Sequence, residues 1–314
     1  MQIETPEKQE ISSSKSSMQL QIGSICCAIK CQDTNMLARL RQHYLDFLTE
    51  GPVDVSVELS GVDQLKADEL EEALSETRFI HGENNFRTTS NIISGTYDLA
   101  RGTIKISGEK NLANPDLRIN HLNRLLSLGY YTACKVRYNG NPPAFLVHSC
   151  GIIRHGRAML FAGPSEAGKT TVGRLCGDCY GQVINDEIVL VSRLPGDDCR
   201  LSVEGVPMLG GLPRRIKAGA PLACIFLLKQ SKRTAVRELD RTEAFLRFMR
   251  QVITPAYIGQ KDKRAVYALI AEFSDVVTGL TPFFELEFTL DRQSLWRAVE
   301  DTEVMLEKRY KKYE

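Results

Sequence analysis

Apolar positions in the first 135 residues recur with the periods of both strands and helices. In chain order they predict an apolar β-leaning run at 20–31, a helix at 35–48, an alternating strand at 53–59, two weak strands around Ser94-Gly95 within 86–106, and a helix at 117–131. Residues 1–17 are polar and charged, which is typical of a disordered tail. We therefore predict a small α+β domain over 18–135.

The remaining chain, 136–314, has longer apolar runs that alternate with helical patterns. They predict strands at 145–148 and 151–153, a turn at 154–157, a strand at 158–162, a helix from Thr170, two strands flanking Asp186-Glu187, a strand at 222–228, a helix at 241–252, a strand at 283–288 and a final helix from Arg292. Buried strands that alternate with helices are typical of an α/β fold, so we predict an α/β domain here.

One run in this second part, Gly163-Pro164-Ser165-Glu166-Ala167-Gly168-Lys169-Thr170, fits the G-x-x-x-x-G-K-[ST] pattern of a phosphate-binding loop. It lies between a predicted strand and a predicted helix, which is the context that the pattern requires. Backbone N–H groups of such a loop and the positive end of the following helix attract phosphates. Lys169 is expected to reach the β and γ phosphates and Thr170 to bind Mg²⁺, with Thr171 as a further nucleotide contact. We predict ATP and Mg²⁺ as cofactors.

An acidic pair, Asp186-Glu187, follows the buried strand that comes after the predicted loop helix. Open sheets place ligand sites at the ends of their strands. Phosphoryl transfer needs a metal ligand and a carboxylate that accepts a proton. We predict that both acids are catalytic and that Asp186 joins Thr170 as a metal ligand. The sequence leaves open which acid is the base, and a solvated turn is the alternative for the pair.

Two further groups could complete such a site. His148 ends an apolar strand, where an active-site role competes with that of a histidine satisfied inside the core. Arg214, Arg215 and Lys217 lie in a stretch rich in Gly and Pro. They predict either a mobile flap that clamps a phosphoryl group or a solvated basic loop.

Composition narrows the class of protein. A net charge of +1, with 43% hydrophobic and 25% charged residues, is ordinary for a soluble globular protein and argues against nucleic acid or a membrane as partner. Because we see no signal-peptide pattern and no apolar run of membrane-spanning length, we expect a cytoplasmic protein with reduced cysteines. Cys176 and Cys179 form a lone C-x-x-C, for which structural thiols are favoured over a redox or metal site. Cys26, Cys27 and Cys31 are predicted to lie in the core.

Together, His148, the 163–170 loop and the segment 185–189 resemble the catalytic core of HPr kinase/phosphorylase. That family shares its fold with the ATP-dependent phosphoenolpyruvate carboxykinases. The segment 221–230 resembles one typical of shorter HPr-kinase-like proteins, some of which occur with peptide-modifying gene sets, including lasso-peptide kinases. The resemblance covers 145–230 well and 20–310 loosely. It implies a P-loop core of the HPr kinase type, preceded by the smaller α+β domain.

Several roles follow from the resemblance. It implies that His148 lies near the active site and that Lys169 and Thr170 serve phosphate and Mg²⁺. By position, Glu187 matches the family's catalytic aspartate and Asp186 matches the acid before it. The family forms homo-oligomers, so a homo-oligomer is one of the expected states of this chain.

The chain also departs from the family pattern. Glu166 stands where the family usually has Gly, so we expect its carboxylate either close to the phosphates or turned to solvent. The family's Arg-Gly-Leu-Gly segment is not recognisable, and 206–211 lies near its expected place. These departures favour a hydroxyl substrate other than HPr.

The first functional hypothesis is a kinase that transfers a phosphoryl group from ATP to a serine-type hydroxyl of a peptide, a protein or a small molecule. The alternative is a nucleotide-dependent binding or regulatory protein with little or no catalysis. Glu166 and the missing family segment favour the alternative, whereas Asp186 and Glu187 favour the kinase. A switch-type NTPase lacks support because no N-K-x-D-like motif is visible.

Overall fold

A computed structural model describes residues 16–60, 79–81, 85–88, 93–98, 100–108, 121–139, 141–254 and 263–310. Over these ranges the chain forms two β-sheets and six α-helices, so the predicted α/β class is confirmed. Nearly all of the predicted tail and the start of the helix predicted at 117–131 lie outside the described residues. Within the described ranges, every helix is too short or too polar to cross a membrane.

The first sheet has seven strands in the order β1-β2-β3-β7-β6-β5-β4. They are β1 (Ser17–Ile22), β2 (Ile25–Cys31), β3 (Val55–Ser60), β4 (Phe79–His81), β5 (Asn85–Thr88), β6 (Ile93–Asp98) and β7 (Thr103–Gly108). The strands β2, β3 and β7 run parallel, and the other neighbouring pairs run antiparallel. Helices α1 (Thr34–His43) and α2 (His121–Arg137) pack their apolar residues into the same core as this sheet.

Three predictions in this first part need correction. The apolar run at 20–31 forms two strands joined at Gly23-Ser24. The helix predicted to reach 48 ends at His43, because Tyr44 leaves helical geometry and a 3₁₀ turn follows. Ser94-Gly95 lies inside β6 rather than between strands, because β6 is hydrogen-bonded to β5 on one side and to β7 on the other. Pairing on both sides outweighs the low strand propensity of glycine.

The second sheet has eight strands. They are β8 (Ala144–Arg154), β9 (Arg157–Ala162), β10 (Gln182–Asn185), β11 (Ile188–Leu194), β12 (Asp197–Gly205), β13 (Gly219–Gln230), β14 (Ala235–Glu238) and β15 (Phe283–Phe288). The pairings β8–β11, β11–β12, β12–β13, β13–β9 and β9–β8 close a circuit of strands. The strands predicted at 145–148 and 151–153 are one continuous strand, β8. Its first half pairs with β11 and its second half pairs with β9.

The strands β9, β13 and β15 run parallel, so their carboxyl ends meet at one edge of the second sheet. The four helices of this part are α3 (Lys169–Tyr180), α4 (Arg241–Phe248), α5 (Lys263–Leu280) and α6 (Arg292–Tyr310). Trp296 of α6 is fully buried and donates its indole N–H to the Leu175 carbonyl at 2.9 Å. This bond joins α6 to α3, the helix that follows the 163–168 loop.

The hydrophobic core of the first sheet continues into the second part of the chain. The cluster that holds α1 and α2 also contains Leu146, Ile188 and Leu190 from the second sheet, and Val206 and Leu209 from the connection after β12. Helix α2 ends at Arg137, beside the boundary predicted at 135–136. The two parts therefore share one buried cluster across that boundary.

Candidate functional site

The 163–168 loop connects the carboxyl end of β9 to the first turn of α3. Gly168 is the residue before the helix, with a left-handed φ of 104°. A Cβ at this position would lie 2.5 Å from the Phe288 ring, so only glycine fits without displacing β15. The Val172 N–H donates to the Gly168 carbonyl at 2.9 Å, which begins the helix directly at the loop. The amino end of α3 therefore faces the residues of the predicted phosphate-binding motif.

Lys169 forms hydrogen bonds within the 163–168 loop that precedes it. Its ammonium donates to the carbonyls of Gly163 at 3.0 Å and Pro164 at 2.9 Å, and the residue is buried. Burial lowers the pKa of Lys169, whereas the nearby carboxylates of Glu187 and Asp186 act in the opposite direction. The charge of Lys169 is thus within electrostatic reach of both acids that were predicted from sequence.

Glu166 has a left-handed backbone, with φ at 66°. A side chain is strained in this conformation, which glycine adopts freely. The Glu166 side chain is exposed, which agrees with the expectation of a carboxylate turned to solvent. Its carbonyl accepts a hydrogen bond of 2.6 Å from the Gln230 side chain at the end of β13. That bond anchors the strained residue to the sheet edge.

Asp186 is completely buried, so the alternative of a solvated turn does not hold for this residue. Its Oδ2 accepts from the Gly211 N–H at 3.1 Å and its Oδ1 from the Leu212 N–H at 3.2 Å. A Cβ on Gly210 would collide with the same carboxylate, so the close approach of this backbone requires glycine. Backbone donors therefore hold a buried carboxylate in one orientation.

Thr170 and Asp186 both approach Gly211. A Cβ on Gly211 would lie 3.1 Å from the Thr170 hydroxyl oxygen and 3.4 Å from Asp186 Oδ2. Hydroxyl and carboxylate oxygens are the ligand type that Mg²⁺ prefers. The described residues contain no group of three or more His, Cys, Asp and Glu side chains suited to a metal. Because Mg²⁺ in nucleotide sites takes one or two carboxylates with phosphates and waters, a Thr–Asp pair fits such an ion.

Asn185 organises this corner of the site, although the sequence reasoning did not single it out. Its side-chain oxygen accepts from the N–H groups of Glu187 at 2.8 Å and Ile188 at 3.1 Å. Its amide donates to the carbonyls of Val206 at 3.0 Å and Met208 at 2.9 Å. An Asn directly before a turn between two strands is the available sequence signal, because Asn often bonds the backbone two residues ahead.

The residues 205–218, called the strap below, connect β12 to β13 across this corner. The ends of the strap are joined by a 2.9 Å bond from the Gly205 N–H to the Ala218 carbonyl. The Ile216 N–H donates to the Ile184 carbonyl at 3.0 Å. The hypothesis of a free, mobile flap is therefore wrong, because backbone hydrogen bonds fix the segment to β10 and to Asp186.

The structure separates the three basic residues of the strap. Arg214 and Lys217 are exposed, as the solvated-loop alternative predicts, whereas Arg215 is buried. Its Nη2 donates to the His43 carbonyl at 3.1 Å, which links the strap to the end of α1. The three residues therefore do not act as one basic cluster.

His148 and Glu187 form the more open side of the site. His148 lies on β8 opposite Ile188, the first residue of β11, and Glu187 directly precedes that strand. His148 Nε2 is 3.3 Å from Glu187 Oε1, and their side chains are 23% and 26% exposed. The predicted histidine and the second predicted acid are thus in contact with each other and accessible to a substrate.

The remaining predicted residues are placed as follows. Thr171 is half-buried in the first turn of α3. Cys176 is buried and its Sγ donates to the Gly181 carbonyl at 3.4 Å, whereas Cys179 is exposed, and both are free thiols. The three cysteines predicted to lie in the core are buried: Cys26, Cys27 and Cys31.

No family model matches the chain, and no curated protein matches its sequence. What can be said of the site comes from its own geometry. The structure gathers Lys169, Thr170, Asp186, Glu187 and His148 around the carboxyl end of β9 and the adjoining strands.

Proposed function

We propose that the chain is an ATP- and Mg²⁺-dependent phosphotransferase with a P-loop core of the HPr kinase type. The acceptor is a serine-type hydroxyl of a peptide, a protein or a small molecule. The observation that carries the proposal is the pairing of Thr170 with the buried Asp186 around Gly211, beside the helix start at Lys169. A hydroxyl, a carboxylate and a lysine converging at a helix amino terminus are the parts that phosphoryl transfer requires.

The 163–168 loop and Lys169 together would bind the phosphates of the nucleotide. The amino end of α3 offers backbone N–H groups to an anion, and Lys169 adds a positive charge. Lys169 bonds two carbonyls of its own loop, so its ammonium is oriented before a ligand arrives. Bound Mg²⁺-ATP supplies the transferable phosphoryl group and neutralises its charge.

The two acids differ in environment, which supports a division of labour. Asp186 is buried and held by two backbone donors, so its carboxylate suits a metal ligand with fixed geometry. Glu187 is partly exposed, so its carboxylate suits a general base that meets an incoming hydroxyl. We assign Asp186 to the metal and Glu187 to the acceptor proton.

His148 contacts Glu187 and so positions that base. Its Nε2 is 3.3 Å from Glu187 Oε1, so the imidazole can hold the carboxylate in place.

A second candidate function is a nucleotide-dependent regulatory protein with little catalysis. Contact between the strap and α1 favours it, because nucleotide binding beside the strap would be felt in the first part of the chain. An accessible acid beside a histidine has no use in such a protein, so the kinase is preferred.

The proposal is tested by incubating the full chain with ATP labelled on its γ-phosphate, Mg²⁺ and a panel of serine-containing peptides, proteins and hydroxyl metabolites. Transfer is followed by radiolabel and by the mass of each acceptor. We expect at least one acceptor to gain a phosphoryl group with the wild-type chain and none with Lys169→Ala. The far-UV spectrum and melting temperature of the variant check that it is folded.

Two results would decide against the kinase. Equal transfer by wild type and a folded Lys169→Ala variant would remove the loop from the chemistry. Nucleotide binding without transfer to any acceptor, combined with a nucleotide-dependent change in the first part of the chain, would favour the regulatory function.

A further inference from the structure

Arg215 is a buried cation that lacks a counter-ion in the described part of the chain. It is only 7% exposed, and its Nε is buried without a hydrogen-bond partner among the described residues. Its contacts are a neutral carbonyl, that of His43, and the ring of Tyr44, 5.6 Å from the guanidinium carbon. The charges of Asp186 and Asp46 are near, but neither forms an ion pair with it. A buried charge without a paired anion is unfavourable, so Arg215 needs a physical reason.

The backbone on both sides of Arg215 is fixed to the proposed metal corner. Leu212, three residues before it, donates its N–H to Asp186 Oδ1 at 3.2 Å. Ile216, directly after it, donates to the carbonyl of Ile184 at 3.0 Å. Burial lowers the pKa of Arg215, and the charge of Asp186 is near enough to oppose that change. Arg215 is therefore held near Asp186 without an ion pair to it.

Tyr44 offers a second donor beside this guanidinium. The residue is completely buried at the end of α1, and its hydroxyl has no hydrogen-bond partner among the described residues. Burial raises the pKa of Tyr44, so the phenol stays neutral and able to donate at physiological pH. An uncommitted guanidinium N–H and an uncommitted phenol O–H thus lie in contacting side chains, which suits an anion with several acceptor oxygens.

We propose that Arg215, with the Tyr44 hydroxyl as second donor, binds the terminal phosphoryl group of the nucleotide. The inference rests on the proposed function and deepens it, because it names a group that distinguishes ATP from ADP. Phosphoryl oxygens are negatively charged and would give Arg215 the ion pair that it lacks. Guanidinium groups bind phosphate through several N–H donors. In a dry environment such a donor also stabilises the charge of the transferring group. The end of α1 then belongs to the nucleotide site.

The test compares the affinities of the full chain for Mg²⁺-ATP and Mg²⁺-ADP by titration calorimetry. Arg215→Gln is expected to weaken ATP binding by about tenfold to a hundredfold, the range for losing a charged hydrogen bond, and to leave ADP binding within about twofold. Tyr44→Phe keeps the ring and removes only the hydroxyl, so a loss of about threefold to tenfold for ATP alone is expected. Arg214→Gln, an exposed neighbour on the same strap, is the control and should leave both affinities unchanged.

A purely structural role for Arg215 gives a different pattern. Equal weakening of ATP and ADP in Arg215→Gln, or ATP binding as tight as in wild type, overturns the inference. If Arg215→Gln does not fold, Tyr44→Phe decides. An ATP affinity equal to wild type in Tyr44→Phe shows that the Tyr44 hydroxyl does not bind the phosphoryl group, and it contradicts the proposed site. If the wild-type chain binds neither nucleotide, the proposed function fails first and the inference falls with it, which separates the two failures.

Discussion

Asn123 on α2 exchanges two hydrogen bonds with the backbone of Leu209 on the strap. Its amide donates to the Leu209 carbonyl at 2.6 Å, and its side-chain oxygen accepts from the Leu209 N–H at 2.5 Å. Both residues are buried. The next residues of the strap, Gly210 and Gly211, approach the carboxylate of Asp186. One side chain of the first part of the chain thus fixes the backbone beside the proposed metal ligand.

Replacing Asn123 by Leu keeps the volume but leaves the buried N–H and carbonyl of Leu209 unpaired. We expect the free energy of unfolding to fall by about 2–4 kcal/mol and the Mg²⁺ concentration for half-maximal phosphoryl transfer to rise several-fold. Chemical denaturation and a Mg²⁺ titration measure the two effects. Arg124→Gln on the exposed side of α2 serves as control. An unchanged Mg²⁺ dependence in Asn123→Leu would separate the strap from the metal corner.

Glu166 combines a strained backbone with an exposed negative charge beside the loop. Glu166→Gly relieves the left-handed strain, so we expect stability to be maintained or to rise by about 1 kcal/mol. Glu166→Gln keeps the strain and removes the charge. If the charge repels phosphate, both variants bind ATP about twofold to fivefold more tightly than wild type at low salt. Weaker binding in Glu166→Gln would instead assign the carboxylate a positive role in the site.

Glu187→Gln keeps the size of the proposed base but cannot accept a proton from the substrate. We expect kcat to fall by about a hundredfold or more, with the affinity for ATP within about twofold of wild type. Asp186→Asn is the matched comparison, and it should weaken Mg²⁺-dependent nucleotide binding as well. Equal losses of kcat and of ATP affinity in both variants would contradict the division of labour between the two acids.

The contact between His148 and Glu187 predicts that the histidine positions the base. His148→Asn should lower kcat by about tenfold and leave the affinity for ATP within about twofold of wild type, because only the group beside the base is lost. His155→Asn, at an exposed turn with left-handed φ that Asn tolerates, is the control. A kcat in His148→Asn equal to that of wild type would place His148 outside the catalytic chemistry.

Protonation of His43 is expected to destabilise the fold in mild acid. Burial, together with the nearby charge of Arg215, lowers the pKa of His43 from 6.5 to about 4. The unfolded chain therefore takes up a proton as the pH falls below about 6.5, while the folded chain resists until about pH 4. The free energy of unfolding is at its full value above pH 6.5 and falls by about 2 kcal/mol between pH 6.5 and pH 4. This figure is reduced for solvent screening, because His43 is only half-buried. Urea unfolding between pH 7.5 and pH 4 should show this decrease in wild type and a smaller decrease in His43→Gln. The control His155→Asn should show the same decrease as wild type.

The sequence predicted only part of the second part of the chain. It gave no prediction for helix α5 or for strands β12 and β14, and the helix predicted at 241–252 ends at Phe248, where a 3₁₀ turn follows. Phe283–Phe288 forms a strand as its alternation predicts, and strands flank Asp186-Glu187 as their apolar runs predict. Local signals suffice there because the apolar period and the loop glycines act within a few residues. The first part was harder, since Ser94-Gly95 forms a strand only through its neighbours on both sides.

The amino-acid sequence alone determined the α/β class, the strand–loop–helix at Lys169 and the presence of acids after the next strand, because each of these depends on local patterns. Only the tertiary structure decided which groups meet. It buried Asp186 against the N–H groups of Gly211 and Leu212 and left Glu187 accessible beside His148. It also separated Arg215 from Arg214, two identical adjacent residues, by burying one against α1. Such differences arise from contacts between segments far apart in the chain, which no local pattern encodes.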